Sequence, residues 1–427
     1  MSLSKRGTAA ASTPLRADFA LFEAAMENPY HPRDNPSGAI PLCIAENLLS
    51  WDQLDAKLRH IAANQPTPEW VASYTSTLGA PPFRETLAAF LSEYLGGDAL
   101  NPETLAIAAG ATATIEMTAL LLGDPGDVVV IPAPAYSVYS ADIGNKAGME
   151  RYDLRVGHLP DQPGVYDLPV TSLDRVYVEL GNRFRMLILT QPNNPTGQVY
   201  LPEQLYAILN WCEEHRVHLV VNEIYALSLI DQDHPDLRAD YPAKQHFSSC
   251  LGLLEERRSD YFHWWWSFSK DFGISGLRVG VLYTKNQGLT AAWANYGAPS
   301  ISSNYVQWLL SEVLTDRKWT RKFLRQKSLT ESYATVIRTL RKLSIPYVPA
   351  VGSLFVWFDL SEFLTAATEE AAVELWTDLF EQSGLLLTGP TGMGAEPGWF
   401  RLVYSGVDQP TLAVAMDRFY HYFRSFR

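Results

Sequence analysis

Lys270 stands in WWWSFSKDFGISGLRVG (residues 264–280), behind three tryptophans and among small hydroxyls and an arginine. The stretch leading to it is apolar enough for a buried strand, and a lysine at the end of such a strand is costly unless its amine has work to do. Taken alone, a lysine in that place is an ordinary solvated residue. Other chemistry-bearing stretches accompany it: AAGATATIEM (108–117), PAPAY (132–136), QPNNPTG (191–197) and NEIY (222–225). They bring an amine (Lys270), hydroxyls (Thr112, Ser267, Ser269), a guanidinium (Arg278), amides (Asn194, Asn222) and phenols (Tyr136, Tyr225). That inventory suits a phosphorylated aromatic aldehyde. Lys270 is placed to form a Schiff base with it. The Ala111–Thr112 turn opening a helix, with the two serines and Arg278, is suited to the phosphate. Asn194 and Tyr225 are suited to a ring hydroxyl, and Tyr136 to stacking on the ring.

The elements around these residues predict how they meet. Apolar strands VVVIP (128–132), MLILT (186–190) and VHLVV (217–221) alternate with helical patterns, which indicates a parallel sheet covered on both faces. In such sheets ligands lie outside the carboxyl ends of the strands, where QPNNPTG, NEIY and the lysine segment fall. Trp264–Trp266 reads as strand core rather than as a substrate platform. Helices are expected over SWDQLDAKLRHIAAN and PFRETLAAFLSEYLGG, the latter stopped by Gly96-Gly97. Beyond residue 300 a long helical stretch (304–343), SLFVWFDL, WFRLVYS and a closing helix read as a second, smaller α+β unit. The expected division is a loose N-terminal tail over 1–18, a segment over 19–60 packing with the small unit, a large domain over 61–305 and a small domain over 306–427.

The chain has 427 residues, 47% hydrophobic and 19% charged, with a formal net charge of −13. That acidity argues against nonspecific binding to nucleic acid or anionic membrane. Cys43, Cys212 and Cys250 lie far apart with no metal-ligand spacing, so neither a disulfide framework nor a zinc site is expected, and no metal is assigned. No apolar run approaches the roughly 20 residues of a membrane span. A cytoplasmic protein is the expectation.

SFSKDFGISGLRVG, PNNPTG, NEIYA and AGATATIE, in this order-preserving set, resemble the fold-type I aminotransferase family, which uses pyridoxal 5′-phosphate (PLP). IAENLLSWDQL (44–54) and EPGWFRLVYS (396–405) are similar to segments of its 1-aminocyclopropane-1-carboxylate (ACC) synthase branch. The resemblance runs from about residue 40 to the C-terminus. It implies a large α/β domain with a mainly parallel sheet, a smaller α+β domain, PLP as cofactor, an amino-acid substrate and a homodimer. It further implies Lys270, Tyr225 and Glu46 as catalytic residues, with Lys270 later acting as general base. Arg401 is then the anchor of a substrate carboxylate. Glu46 is the acid facing the sulfonium-bearing part of S-adenosylmethionine (SAM).

Two departures stand out. The family position before Glu-Ile-Tyr is normally aspartate, which keeps the PLP ring nitrogen protonated as an electron sink, and here it is Asn222. Glu223 is no replacement, because adjacent strand residues point to opposite faces. Tuned chemistry, a crippled homologue or engineered variant, and a rebuilt site all remain open readings. In YTSTLGAPPF (74–83) Thr77 stands where the family tends to have a tyrosine supplied to the neighbouring subunit's cofactor site, and the smaller residue suggests room at the subunit boundary for a second, larger substrate.

The leading expectation is a PLP enzyme acting on SAM or a related amino acid, with loss of methylthioadenosine and an option of carbon–carbon bond formation. An ordinary aminotransferase and a noncatalytic homologue are the alternatives.

Overall fold

The computed structural model describes residues 2–12, 18–96, 99–325 and 328–426. Met1 and residues 13–17 of the expected tail, Gly97 of the expected helix stop, and residues 326–327 of the expected long helix lie outside them. Helix α1 (Lys5–Ser12), none of whose residues is buried, stands where a loose tail is expected. It is followed by α2 (Phe19–Glu27) and β1 (Ile40–Leu42), and then by α3 (Trp51–Asn64) and α4 (Pro81–Tyr94).

The large unit is built on a seven-stranded sheet. In chain order its strands are β2 (Leu105–Ala108), β3 (Val128–Ala133), β4 (Glu150–Arg155), β7 (Phe184–Thr190), β8 (His218–Asn222), β9 (Phe262–Ser267) and β10 (Gly280–Thr284). Their spatial order is β2-β10-β9-β8-β7-β3-β4. β4, β3, β7, β8 and β9 run parallel, and β10 is antiparallel to both β9 and β2. A small hairpin, β5 (Gly157–Leu159) with β6 (Gln162–Asp167), lies beside it. The helices that connect the strands are α5 (Ala111–Leu122), α6 (Tyr139–Gly144), α7 (Val170–Leu180), α8 (Pro202–His215), α9 (Cys250–Glu256), the short α10 (Phe268–Asp271) and α11 (Gln287–Tyr296).

The tryptophan run shows how the sheet is buried on both faces. Side chains alternate along a strand, so Trp264 and Trp266 enter the core on one face while Trp265 enters the core on the other. Each indole N–H finds an acceptor: Glu223 Oε2 at 2.8 Å, Thr118 Oγ1 at 3.0 Å and Asp271 Oδ2 at 2.8 Å, in residue order. Satisfying the N–H lets each ring contribute about 4–6 kcal/mol of transfer free energy without a desolvation penalty.

The helical stretch expected over 304–343 is broken among the described residues into α12 (Asn304–Thr315), α13 (Arg317–Leu324) and α14 (Ser328–Lys342). Asp316 breaks the first from the second: its side chain caps α13 by accepting from Trp319 N at 3.0 Å. Trp308, Leu310, Val313 and Phe323 belong to the core under the large sheet, whereas Tyr333, Val336, Ile337 and Leu340 of α14 belong to a second core. That second core is closed by α15 (Glu369–Ser383), α16 (Gln409–Arg424) and the strands β11 (Tyr347–Val348), β12 (Phe355–Asp359) and β14 (Trp399–Val403). β1 pairs parallel with β13 (Leu385–Leu387), which ties the N-terminal segment to this smaller unit. α3 goes the other way, burying Leu54 and Ile61 in the core of the large unit. The three cysteines are buried and unbridged. Among the described residues no helix is long and apolar enough to cross a membrane.

Candidate active site

The carboxyl ends of β2, β7, β8 and β9 come to one edge of the sheet because Thr190 pairs with Asn222, Asn222 with Trp265, and Gly280 with both Ser267 and Ala108. The chain segments leaving this edge enclose a cavity of about 170 Å³. Lys270, Ser269, Arg278, Ala111, Thr112, Tyr136, Asn194, Asn222, Tyr225 and Arg401 all line it. Residues up to 290 positions apart are thus gathered in one place, as the sequence order of motifs predicts. The tenth, Arg401, comes from the small unit.

Groups suited to an anion are concentrated at the start of α5. Gly110, its N-cap, has φ 89°, a conformation that favours glycine, and a Cβ there would lie 2.2 Å from Arg278 Nη2. The missing side chain lets the guanidinium rest against the helix start, where the unpaired N–H groups of the first turn point outward. Arg278 itself has φ 53° and donates Nη1 to the Ser275 carbonyl at 2.8 Å, which aims the rest of the fork along the cavity mouth. Ser269 adds a hydroxyl to the wall. Ser267 does not line the cavity. Buried at the end of β9, its Oγ donates to the Val279 carbonyl at 2.8 Å and lies 2.8 Å from Ser269 Oγ. Its hydroxyl is thus bonded to that of Ser269, which lines the cavity.

Lys270 sits in the short α10 with its Nζ bonded to the Ala45 carbonyl, while Asn47 Nδ2 donates to the Lys270 carbonyl at 3.4 Å. The segment 44–47 thus crosses directly over the lysine. Gly273 (φ 67°) makes that crossing possible, since a Cβ there would meet Asn47 O at 2.1 Å. Asp271, the next residue, is pushed up to about 7 by burial, against hydrogen bonds from Trp266, Ser228 and Leu227 that favour its ionised form. Glu46 is not on the cavity wall. It stands half-buried behind Ser275, whose Oγ donates to Glu46 Oε1 at 2.9 Å, and Ser275 lines the cavity.

Arg401 is only 4% exposed. Its Nε donates to Thr388 Oγ1 at 3.0 Å, Nη1 to Asn194 Oδ1 at 2.6 Å and Nη2 to the Cys43 carbonyl at 3.1 Å, and the guanidinium lies 4.9 Å from the Phe355 ring centre. These oxygens fix the orientation of the fork. Tyr225 packs edge-on against Phe355 at 5.2 Å, and burial pushes its phenol well above the usual range although Arg401 pulls the other way.

Three polar wall residues were not expected from the sequence, Tyr139, Thr190 and Ser275, beside the apolar Ile44, Ala45, Ile115 and Ile224. Tyr139, the first residue of α6, lies three positions after Tyr136 and packs edge-on against it at 5.3 Å. Ser275 lies inside the quoted lysine segment. Glu223 behaves as strand alternation requires. It faces away from the cavity and accepts from Gln191 Nε2 at 2.8 Å, Cys250 N at 2.6 Å, Trp264 Nε1 at 2.8 Å and Ser249 Oγ. Thr77 donates its hydroxyl to the Ala294 carbonyl at 2.6 Å.

A helix start with an adjoining guanidinium, a lysine amine and a second, buried guanidinium come together at one cavity, a donor set that suits an anionic aldehyde. A family profile described as Aminotransferase class I and II matches residues 38–419, and the chain belongs to that family. It is a fold-type I protein, and the enzymes of this family depend on PLP, which the donor set of the cavity fits. The chain is 32% identical over 98% of its length to a "probable inactive 1-aminocyclopropane-1-carboxylate synthase-like protein 2" of Mus musculus, covering 72% of that protein. It is 29% identical over 94% of its length to a 1-aminocyclopropane-1-carboxylate synthase of Glycine max, covering 83% of it. Aspartate aminotransferase of Thermus thermophilus, solved with maleate, superposes with a TM-score of 0.77 over 99% of both chains at 24% identity, a likeness of fold.

Proposed function

We propose that this chain is a PLP-dependent enzyme acting on SAM or a closely related amino acid. It removes the Cα proton and releases methylthioadenosine from Cγ. The observation that carries the reading is the joint presence in one cavity of Lys270, Arg278 and Arg401, with Glu46 one residue behind the wall. The similarity to ACC synthases supports the substrate class.

Ser269, Arg278 and the first turn of α5 hold the cofactor phosphate; Asn194 and Tyr225 bond its ring hydroxyl; Tyr136 covers the ring. Bound there, PLP supplies electron withdrawal that makes the substrate Cα–H acidic. Arg401 takes the substrate carboxylate on its fixed fork, and that contact orients the Cα–H bond. Lys270 Nζ receives the Cα proton once its amine is released. Glu46, reached past Ser275, favours a cationic sulfonium over a neutral thioether. The Cγ–S bond then breaks with its electron pair leaving on sulfur. Cα closes on Cγ to make a three-membered ring, or a Cβ proton is lost as sulfur leaves, giving an alkene, and a proton returns to Cα. Coupling to a second substrate is the third product class.

A noncatalytic PLP-holding protein is the second reading, favoured by Asn222 where the family carries an acid. The test is the visible spectrum of the purified protein during a SAM titration, with products identified by mass spectrometry. A band that shifts with SAM, with methylthioadenosine released, supports the proposal. A coloured protein indifferent to SAM removes the substrate assignment, and one that exchanges no Cα proton with any amino acid supports the second reading. Transfer of the amino group to the cofactor without methylthioadenosine would instead mark an aminotransferase.

A further inference from the structure

Asn222 is held in one orientation by a backbone donor and a phenol. Its Oδ1 accepts the N–H of Ile224 at 3.3 Å, and its Nδ2 donates to Tyr139 Oη at 2.8 Å. A backbone N–H can only donate, so the Ile224 contact decides which end of the amide is oxygen. Tyr139 Oη accepts from Asn222 and lies 2.9 Å from Thr190 Oγ1, a hydroxyl with which it shares a further hydrogen bond. An amide nitrogen carries two hydrogens. One is taken by Tyr139, and the other remains for the cavity that Asn222, Tyr139 and Thr190 line together.

No member of this triad carries negative charge. Tyr139 is fully buried, which raises its phenol above the ordinary range and keeps it neutral. Glu223 is enclosed by four donors on the far face of β8. Asp142, one turn beyond Tyr139 on α6, is off the cavity wall, and burial and then the charge of Glu116 push it up to about 7. A protonated ring nitrogen against Asn222 would be a cation without a counter-charge in a buried place, facing an N–H that can only donate. A neutral ring nitrogen offers that N–H a lone pair.

We infer that Asn222 donates a hydrogen bond to an unprotonated ring nitrogen of the bound cofactor, and that Tyr139 is the residue that positions it. The inference rests on the proposed function, because it needs PLP in this cavity. Its chemical consequence is a weaker electron sink. Chemistry in which the Cγ–S bond breaks as negative charge forms at Cα is then favoured over amino-group transfer, which needs a longer-lived delocalised carbanion.

The test is 15N NMR of the full-length protein reconstituted with PLP labelled at the ring nitrogen. The expected resonance is that of a hydrogen-bonded neutral pyridine. In Asn222→Asp it is expected to move into the pyridinium range. In Tyr139→Phe it is expected to move toward the value of the free, non-hydrogen-bonded base, as the amide loses its anchor. A pyridinium resonance in the unaltered protein overturns the inference while leaving the cofactor assignment intact. An unchanged resonance in Tyr139→Phe overturns the positioning role. A protein that takes up no PLP, seen by its lack of a visible band, overturns the functional reading and this inference with it.

Discussion

Arg401 Nη1 and Asn194 Oδ1 meet at 2.6 Å, so β14 of the small unit is bonded to the loop that leaves β7 of the large one. The two residues are 207 positions apart, and each lines the same cavity. The contact makes the proposed carboxylate-binding and ring-hydroxyl-binding residues neighbours, and it fixes one arm of the guanidinium.

Arg401→Lys should therefore lower kcat/KM for the amino-acid substrate by about 10²-fold, equivalent to about 2–3 kcal/mol of lost transition-state stabilisation. The cofactor band should persist, since Arg278 and Ser269 are untouched. Steady-state kinetics beside an absorption spectrum check this. Loss of the band together with activity would mean that Arg401 serves the fold and not the substrate.

Gly110→Ala addresses the phosphate end. A methyl group at φ 89° is strained and would displace the Arg278 guanidinium, which lies 2.2 Å from the Cβ position. Cofactor binding should weaken at least about tenfold, on the order of 1.4 kcal/mol, with the helix content unchanged. Fluorescence titration with PLP and far-UV circular dichroism measure the two quantities separately.

Glu46→Gln keeps the acceptor for Ser275 Oγ and removes the charge. Turnover of SAM should fall by about tenfold relative to an amino acid lacking the sulfonium. A matched loss on both substrates would refute the placement of the sulfonium beside Glu46.

Asp142 makes a pH prediction. It is 4% exposed, its Oδ2 has no hydrogen-bond partner, and burial followed by Glu116 pushes it up to about 7, above its unfolded value near 4. Between those values the folded protein binds the extra proton. Its contribution is fully favourable below about pH 4 and is lost as pH rises to about 7. Asp142→Asn should consequently leave stability nearly unchanged at pH 4 and raise it at pH 8, by at most about 4 kcal/mol. Urea unfolding at the two pH values decides it, and a variant destabilised at pH 8 would show the carboxylate to be paired.

Composition, strand texture and the order of short motifs were enough to determine the parallel α/β fold, the family and ten of the residues around the cavity. Those signals are local: an apolar run closed by Gly, Asn or Lys reports on its own strand end, and strand alternation alone turned Glu223 away from the site. What the linear chain does not carry is the direction of a side chain after the strand stops. Ser267 and Ser269 are equivalent in sequence, yet the carbonyl of Val279 takes the first hydroxyl and the cavity receives the second. Glu46 is placed behind Ser275 only because the N-terminal segment crosses over Lys270, and the Thr77 hydroxyl meets a carbonyl 217 residues away. The triad of Asn222, Tyr139 and Thr190 draws one member from each of three different elements. Such contacts depend on strand register and on the approach of distant segments, which packing of the two cores decides.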